Sequence, residues 1–239
     1  MKLTINTSFQ ANASSQSLLI LVDSEHVQNA ADSYQINDLN KLTEAAQFKA
    51  GLNETLALIG SVSACLNTAL VGIGKAEELQ PAKLAKIAQT IIKFSQKKFQ
   101  QISIDISALP QEMHYLFALS LTQAAYAFDE YKSKKNEFAL EQVHLVAAET
   151  ALTQQQLGLI AAIQNGQNFT RDLGNRPGNI CFPEYLAEQA QALAAEFPDL
   201  LKVTVLNEQQ MADLGMGAFL AVSKGSDRPG RIITIEYQA

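Results

Sequence analysis

Short apolar segments alternate with amphipathic ones over the first 150 residues, and this alternation restricts the fold more than any other feature of the chain. Six segments have either the continuous apolar character or the two-residue periodicity of strands: 2–6, 17–23, 55–60, 68–74, 101–107 and 141–148. Apolar residues at helical spacing predict a helix over 38–50 that Gly51 ends, a helix from Pro81, and a long helix from Pro110 to about Lys132. Strands that alternate with helices predict an α/β domain with a mixed sheet and helices on both faces.

A second α/β pattern begins near residue 150. Thr153 suits the N-cap of a helix over 154–173, which is long enough to link two domains. The elements predicted after this helix are a helix at 183–196, a strand at 202–206, a short helix at 208–214, and strands at 218–222 and 231–237. The sequence therefore predicts two domains, over residues 1–150 and 151–239.

The segment between the linking helix and the next helix is rich in residues that end or redirect a helix. It contains Gly174, Asn175, Pro177, Asn179 and Pro183. Glycine suits the left-handed position that ends a helix, asparagine side chains bond to loop backbone, and proline cannot continue a helix. Pro183 also suits the first turn of the next helix. These residues predict a structural corner that directs the second domain, and a catalytic loop is the alternative that they leave open.

Composition excludes several classes of protein. Hydrophobic residues make up 47% of the chain, which is enough for a real core. The net charge of -6 argues against a general nucleic-acid binder, which is usually basic. We find no signal peptide and no apolar stretch of about 18 residues that could cross a membrane. The two cysteines are too few for a disulfide framework or a metal cluster, so a cytoplasmic protein with reduced thiols is expected.

Standard catalytic motifs are missing. The sequence has no HExxH pair and no GxSxG elbow, and its three histidines, His26, His114 and His144, lie in different predicted elements. The turn at 72–75 (Gly-Ile-Gly-Lys) follows a predicted strand and precedes a helix, which suggests either a weak phosphate site or a tight turn. The full Walker pattern is not present, so the tight turn is favoured.

Three segments in order resemble the leucyl (cytosol) aminopeptidase family of metallopeptidases. ALVGIGKAEEL at 69–79 is similar to a strand-turn-helix of the family's N-terminal domain, and DLGNRPGNICFPEYLAEQA at 172–190 to the corner that opens its catalytic domain. LGMGAFLAVSKGSDRPGRIITIEY at 214–237 resembles the segment that follows. The resemblance implies an N-terminal α/β domain like the macro domain, a long linking helix and the first part of an α/β catalytic domain.

The resemblance also implies a function. Members release N-terminal residues from peptide substrates with two divalent metal ions, commonly manganese or zinc, and assemble as hexamers in the cytoplasm. Their metal-site motifs, similar to GKGxTFDSGG and NTDAEGR, do not occur here, and the resemblance covers about the N-terminal half of a family chain. We therefore assign no catalytic residue and no metal ligand, and we expect this chain to bind no metal and to be inactive alone. Glu184 and Glu188, one helical turn apart, are interpreted as a solvated face.

Two further expectations follow. The alternative function is a stand-alone macro-like module that binds a nucleotide or ADP-ribose at the turn of Gly72 and Gly74, or that serves as an interaction module. The strand at 231–237 has apolar residues on both faces, which is typical of a strand inside a covered sheet. We expect residues 151–239 not to close a core alone, so that they pack on a second copy or are poorly ordered.

Overall fold

The computed structural model describes residues 1–9, 16–60, 65 and 67–238. Contacts divide the chain into two compact units, Met1–Phe169 and Thr170–Ala239. The division falls inside the predicted linking helix, so most of that helix belongs with the first unit by its contacts. The assignment of 1–150 and 151–239 to two domains stays a prediction. Within the described residues, no helix combines the length and the apolar composition required to cross a bilayer.

Six strands form the sheet of the first unit. They are β1 (Lys2–Asn6), β2 (Gln16–Asp23), β3 (Thr55–Ile59), β4 (Asn67–Gly74), β5 (Gln101–Asp105) and β6 (Gln142–Val146). Their order across the sheet is β1-β6-β5-β2-β4-β3. All neighbouring strands are parallel except β3 and β4, which are antiparallel. The predicted mixed sheet is confirmed.

In the part of the chain that the structure describes, five helices accompany this sheet. They are α1 (Gln28–Tyr34), α2 (Leu39–Ala45), α3 (Pro81–Ser95), α4 (His114–Ala124) and α5 (Gln154–Asn175). A short 3-10 turn at Ala76–Glu78 follows β4, and another at Gln111–Met113 precedes α4. Proline at the start of α3 suits the first helical turn, where no backbone N–H is needed.

The central strand β2 is buried on both of its faces. Leu19 and Leu21 belong to an apolar cluster with α3, α4 and α5, whereas Leu18, Ile20 and Val22 belong to a second cluster with α1 and α2. All five side chains are at most 3% exposed. Since successive residues of a strand point to opposite faces, helices cover both faces of the sheet, as predicted.

Two helices of the first unit are shorter than predicted, and α1 was not predicted. Helix α2 ends at Ala45 rather than at Gly51, and Ala50 has a φ of 53° in the loop that follows. Helix α4 ends at Ala124 rather than near Lys132. Residues 130–138 are all exposed, so no packing supports a longer helix there.

The second unit contains three helices and two strands. They are α6 (Pro183–Glu196), β7 (Leu201–Leu206), α7 (Glu208–Asp213), α8 (Gly217–Ser223) and β8 (Ile232–Tyr237). The strand predicted at 218–222 is wrong, because these residues lie in α8. A short apolar run does not distinguish a strand from a helix, and the alanines and leucine of this run favour a helix. Strands β7 and β8 pair as an antiparallel two-stranded sheet.

Candidate functional site

The corner between α5 and α6 starts two residues later than predicted, because the linking helix was expected to end at residue 173 and ends at Asn175. Helix α5 continues through Gly174 to Asn175, and the N–H of Arg176 still donates to the carbonyl of Asp172 at 3.2 Å. Gly174 does not have a positive φ, so the prediction that it ends the helix in the left-handed conformation is wrong. The end of the helix is instead explained by Pro177, because a residue that precedes proline is forced out of the helical region.

A tight turn then leads into α6. The N–H groups of Ile180 and Cys181 both donate to the carbonyl of Pro177 at 2.9 Å. Phe182 has extended backbone, and α6 begins at Pro183, as predicted. The segment is therefore a corner with internal hydrogen bonds. The side-chain roles expected for its two asparagines stay predictions.

Two arginines from the loop before β8 contact the start of α6. The guanidinium of Arg228 lies 4.3 Å from the centre of the Phe182 ring, a cation–π contact. Arg231 forms an ion pair with Glu184 in the first turn of α6, and the Arg231 side chain is only 16% exposed. Glu188 is exposed and Glu184 is 47% exposed, so both contact solvent as interpreted, but Glu184 also holds Arg231. These contacts join the corner to the residues that precede β8.

The same part of the second unit forms an open, largely apolar cavity of about 550 Å³. Its lining includes Pro183 of α6, Met211 of α7, and Phe219 and Val222 of α8. The side chains of Phe219 and Val222 are 58% and 82% exposed. A concave apolar surface of this kind marks a place where a ligand or another segment of protein binds.

A carboxylate holds the loop beside this cavity. Glu208 accepts a hydrogen bond from the N–H of Gly230 at 2.9 Å. This bond is the main cause that lowers the pKa of the Glu208 carboxyl, with a smaller contribution from the Ser223 side chain. Asn207 and Gln210 form a capping box at the start of α7. Glu208 is therefore fixed as a structural acceptor, and nothing about it indicates an acid or base catalyst.

The tight turn predicted at 72–75 is wrong for its glycines, because Gly72 and Gly74 lie in β4, and the chain itself fills the space beside them. The N–H of Gly72 donates to the carbonyl of Glu54 at 2.8 Å, and the N–H of Gly74 donates to that of Ala50 at 3.0 Å. A Cβ on Gly72 would lie 2.3 Å from the carbonyl oxygen of Gly51. Both donors are used and the space is occupied, so the structure gives no support to a phosphate site at these glycines.

Comparison with family models gives two matches in the order expected from the chain. Residues 19–135 match the N-terminal domain of the cytosol aminopeptidase family, and residues 168–239 match the catalytic domain of the same family. Together the two matches include most of the chain. The chain belongs to the cytosol aminopeptidase family.

Relatives from three bacteria agree with this assignment. A probable cytosol aminopeptidase of Acinetobacter baumannii is 67% identical over all 239 residues, and one of Acinetobacter baylyi is 64% identical. A probable cytosol aminopeptidase of Pseudomonas aeruginosa is 41% identical over 178 residues, which are 70% of this chain and 36% of that relative. The chain spans 50% of the length of the two Acinetobacter relatives.

Solved structures share the fold. A mutant of tomato leucine aminopeptidase has a TM-score of 0.80 over 98% of this chain and 50% of its own, at 18% identity. A bottromycin maturation enzyme, BotP, in complex with Mn has a TM-score of 0.71 over 93% of this chain and 45% of its own, also at 18% identity. At these identities the likeness shows the fold alone.

The potential metal ligands among the described residues lie apart. His114 is buried and bonds to Thr150 and to the carbonyl of Leu109, and His144 bonds to Thr4 across β1 and β6. Burial lowers the pKa of both imidazoles, which keeps them neutral. Among the described residues, no group of three or more His, Cys, Asp or Glu side chains could hold a metal ion.

Proposed function

We propose that the protein represented by this chain is a cytoplasmic leucyl aminopeptidase that releases N-terminal amino acids from peptides. The observation that carries the proposal is the ordered match of the N-terminal and catalytic models of one family, with 67% identity to a relative along all 239 residues. Two divalent ions, manganese or zinc, would activate the attacking water and polarise the scissile carbonyl when bound.

The described residues of this chain do not fit that metal centre. A two-metal site requires several carboxylates within a few Å of each other, and the described residues contain no such group. We therefore derive no metal-dependent step from them, and we propose that this chain is inactive alone. Its part in the enzyme is to supply the N-terminal unit, the corner and the front of the catalytic domain.

The exposed apolar surface of the second unit supports this role. The cavity beside α8 has exposed phenylalanine and valine side chains, and β8 has Ile235 and Tyr237 at 50% and 68% exposed. Burial of each large side chain would contribute roughly 1.5–3 kcal/mol. We propose that the rest of the catalytic domain, present in relatives twice as long, covers this surface.

A complementation assay tests both parts of the proposal. The 239-residue chain alone should not hydrolyse leucine p-nitroanilide with added manganese or zinc. Co-expression with the remaining half of the Acinetobacter baumannii relative should give hydrolysis that a chelator abolishes. Phe219→Asp should prevent this complementation, whereas Asp199→Asn, an exposed change away from the cavity, should not. Chelator-sensitive hydrolysis by the 239-residue chain alone would contradict the proposed inactivity.

The assembly of the complete enzyme is a separate part of the proposal. The family resemblance favours a homo-hexamer of full-length subunits, and light scattering on the complemented enzyme would measure its mass. A monomeric active enzyme would contradict this assignment. The alternative function, ADP-ribose binding at Gly72 and Gly74, has no observation in its favour, because both glycines lie in β4 and their backbone N–H groups are already bonded.

A further inference from the structure

A crevice opens at the carboxyl ends of β2 and β5 in the first unit. Strands β2 and β5 are neighbours, and the chain leaves β2 for α1 on one face of the sheet but leaves β5 for α4 on the other face. Connections that leave neighbouring strands toward opposite faces create a gap at the strand ends, and this is where open α/β sheets bind ligands. The proposed peptidase function makes no use of this crevice.

The crevice contains a cavity of about 360 Å³. Asp23 at the end of β2, Asp105 at the end of β5 and Tyr34 at the end of α1 all contribute to its lining. A second cavity of about 450 Å³, lined by residues that follow β1 and β6, shares Tyr34 and Asp105 with the first. The combined space is that of a small organic molecule rather than of a single ion.

Both carboxylates are buried, and each is held in place by the chain. Asp23 and Asp105 are 8% and 9% exposed. The two oxygens of Asp23 accept from the N–H groups of Glu25 and Ala76 at 2.6 and 2.7 Å. The oxygens of Asp105 accept from the N–H of Ser107 at 2.8 Å and from the Tyr34 hydroxyl at 2.6 Å. The Oδ1 of Asp23 also lies 3.5 Å from the exposed His26 imidazole, whereas the Oδ2 of Asp23 and both oxygens of Asp105 have one donor each from the chain and can accept another from a ligand.

The charge of the lining is negative. Burial acts to raise the pKa of Asp23, but its backbone hydrogen bonds and nearby His26 outweigh this effect and lower it, so Asp23 is ionised at neutral pH. Among the described residues that line the cavity, His26 is the basic side chain, and it is 64% exposed. Lys75, which follows β4, pairs with Glu25 at 2.7 Å and does not line the cavity. An anionic ligand would therefore meet two carboxylates without a balancing lysine or arginine.

We propose that this crevice binds a small organic amine in its protonated form, with Asp23 and Asp105 as acceptors for the ammonium group. A carboxylate that accepts from an ammonium ion makes a stronger bond than one that accepts from a neutral group. A metal ion is a poorer fit, since no group of three ligands occurs among the described residues. The inference does not rest on the proposed peptidase function, and its test uses no peptidase assay.

Isothermal titration of the 239-residue chain with four probes tests the charge preference. The probes are 1,5-diaminopentane, 1-aminopentane, 1-pentanol and ADP-ribose. We expect saturable binding of at least one amine at a single site, weakened by added salt, and no saturable binding of pentanol or ADP-ribose. No saturable binding of either amine, or equal binding of pentanol, would overturn the proposal. Binding of ADP-ribose in preference to the amines would also overturn it.

Two near-isosteric variants test the location. Asp105→Asn and Asp23→Asn should each weaken amine binding about tenfold or more, because a charged hydrogen bond is replaced by a neutral one. Asp32→Asn is the control, since Asp32 is exposed on α1, the helix that carries Tyr34. Thermal melts identify any variant that does not fold, in which case the probe series on the unmodified chain remains decisive. Unchanged amine affinity in both folded variants would show that the amine binds elsewhere.

Discussion

The two units of this chain contrast in how completely they bury their apolar side chains. The first unit covers both faces of a six-stranded sheet, and Phe117 in α4 is 0% exposed. In the second unit the buried hydrophobic residues among those described are Ala187, Ala190 and Met211, while Phe219 in α8 is 58% exposed. Amphipathic elements alone therefore do not give a core. Each apolar face also requires a partner, and the first unit supplies its own.

The largest expected difference in stability comes from the same substitution, phenylalanine to alanine, made once in each unit. Phe117→Ala should destabilise the chain by about 3–5 kcal/mol, because it removes a fully buried ring and leaves a cavity. Phe219→Ala should change the free energy of unfolding by less than about 0.5 kcal/mol in the chain alone, since the ring is exposed. Urea denaturation measures both values. Similar losses for the two variants would show that the second unit has a core of its own.

A second pair of variants compares two glycines. Gly72→Ala should cost on the order of 1–3 kcal/mol, because its Cβ would lie 2.3 Å from the carbonyl oxygen of Gly51. Gly166→Ala in α5 should stabilise by roughly 0.5–1 kcal/mol, because nothing lies within 4 Å of its Cβ and alanine favours a helix. Thermal unfolding of the two variants measures the difference. A stable Gly72→Ala chain would mean that the loop beside Gly72 moves aside at little cost.

The sequence predicted the strands of the first unit better than it predicted the elements of the second. Periodicity identified the strands of the sheet because β2 and β4 are buried on both faces and therefore read as continuous apolar runs. It also predicted the strand at 231–237, in which Ile235 and Tyr237 are 50% and 68% exposed. The strand predicted at 218–222 is wrong, because periodicity over five apolar residues does not distinguish a strand from a helix.

The site residues were predicted less completely for a physical reason. Proline at 177 and 183 acts on the local backbone, so the corner could be recognised from neighbouring residues. The crevice brings together Asp23, Tyr34 and Asp105, which lie in three different elements and share no motif. The one available signal was an Asp at the end of each of two apolar strands, β2 and β5. Only the parallel order of those strands places the two residues at the same edge of the sheet.

A smaller effect concerns pH and the buried histidine of the first unit. Burial lowers the folded-state pKa of His114 below its ordinary value, so the unfolded chain binds a proton more readily than the folded chain does. The stability that depends on neutral His114 is present above the unfolded pKa of about 6.5 and is lost as pH falls toward the lower folded pKa. The urea midpoint of the His114→Gln variant should therefore decrease less than that of the unmodified chain when the pH is lowered from about 7.5 to 5.5. His26→Gln is the control, because the His26 side chain is 64% exposed. An equal slope in the His114 variant and the unmodified chain would contradict the role of burial.

The smallest effect tests whether the second unit is ordered enough for an ion pair to matter. Arg231 is 16% exposed and Glu184 is 47% exposed, so their pair is intermediate between a surface contact and a buried one. A surface pair contributes about 0.2–1 kcal/mol, and this pair should lie near the upper end of that range because Arg231 is shielded from water.

A double-mutant cycle with Arg231→Met and Glu184→Gln isolates the coupling from the loss of each side chain. The probe must report on the second unit, so the cycle is measured by protease susceptibility of the peptide bonds between β7 and β8. The matched control is the cycle of Lys202→Met and Glu236→Gln, whose partners lie across β7 and β8 and are 65% and 45% exposed. Coupling for the first cycle but not for the second would show that α6 and the loop before β8 form a fixed frame onto which further chain can pack. No coupling in either cycle would mean that the corner is held by backbone hydrogen bonds alone, and that the second unit becomes rigid only when its apolar surface is covered.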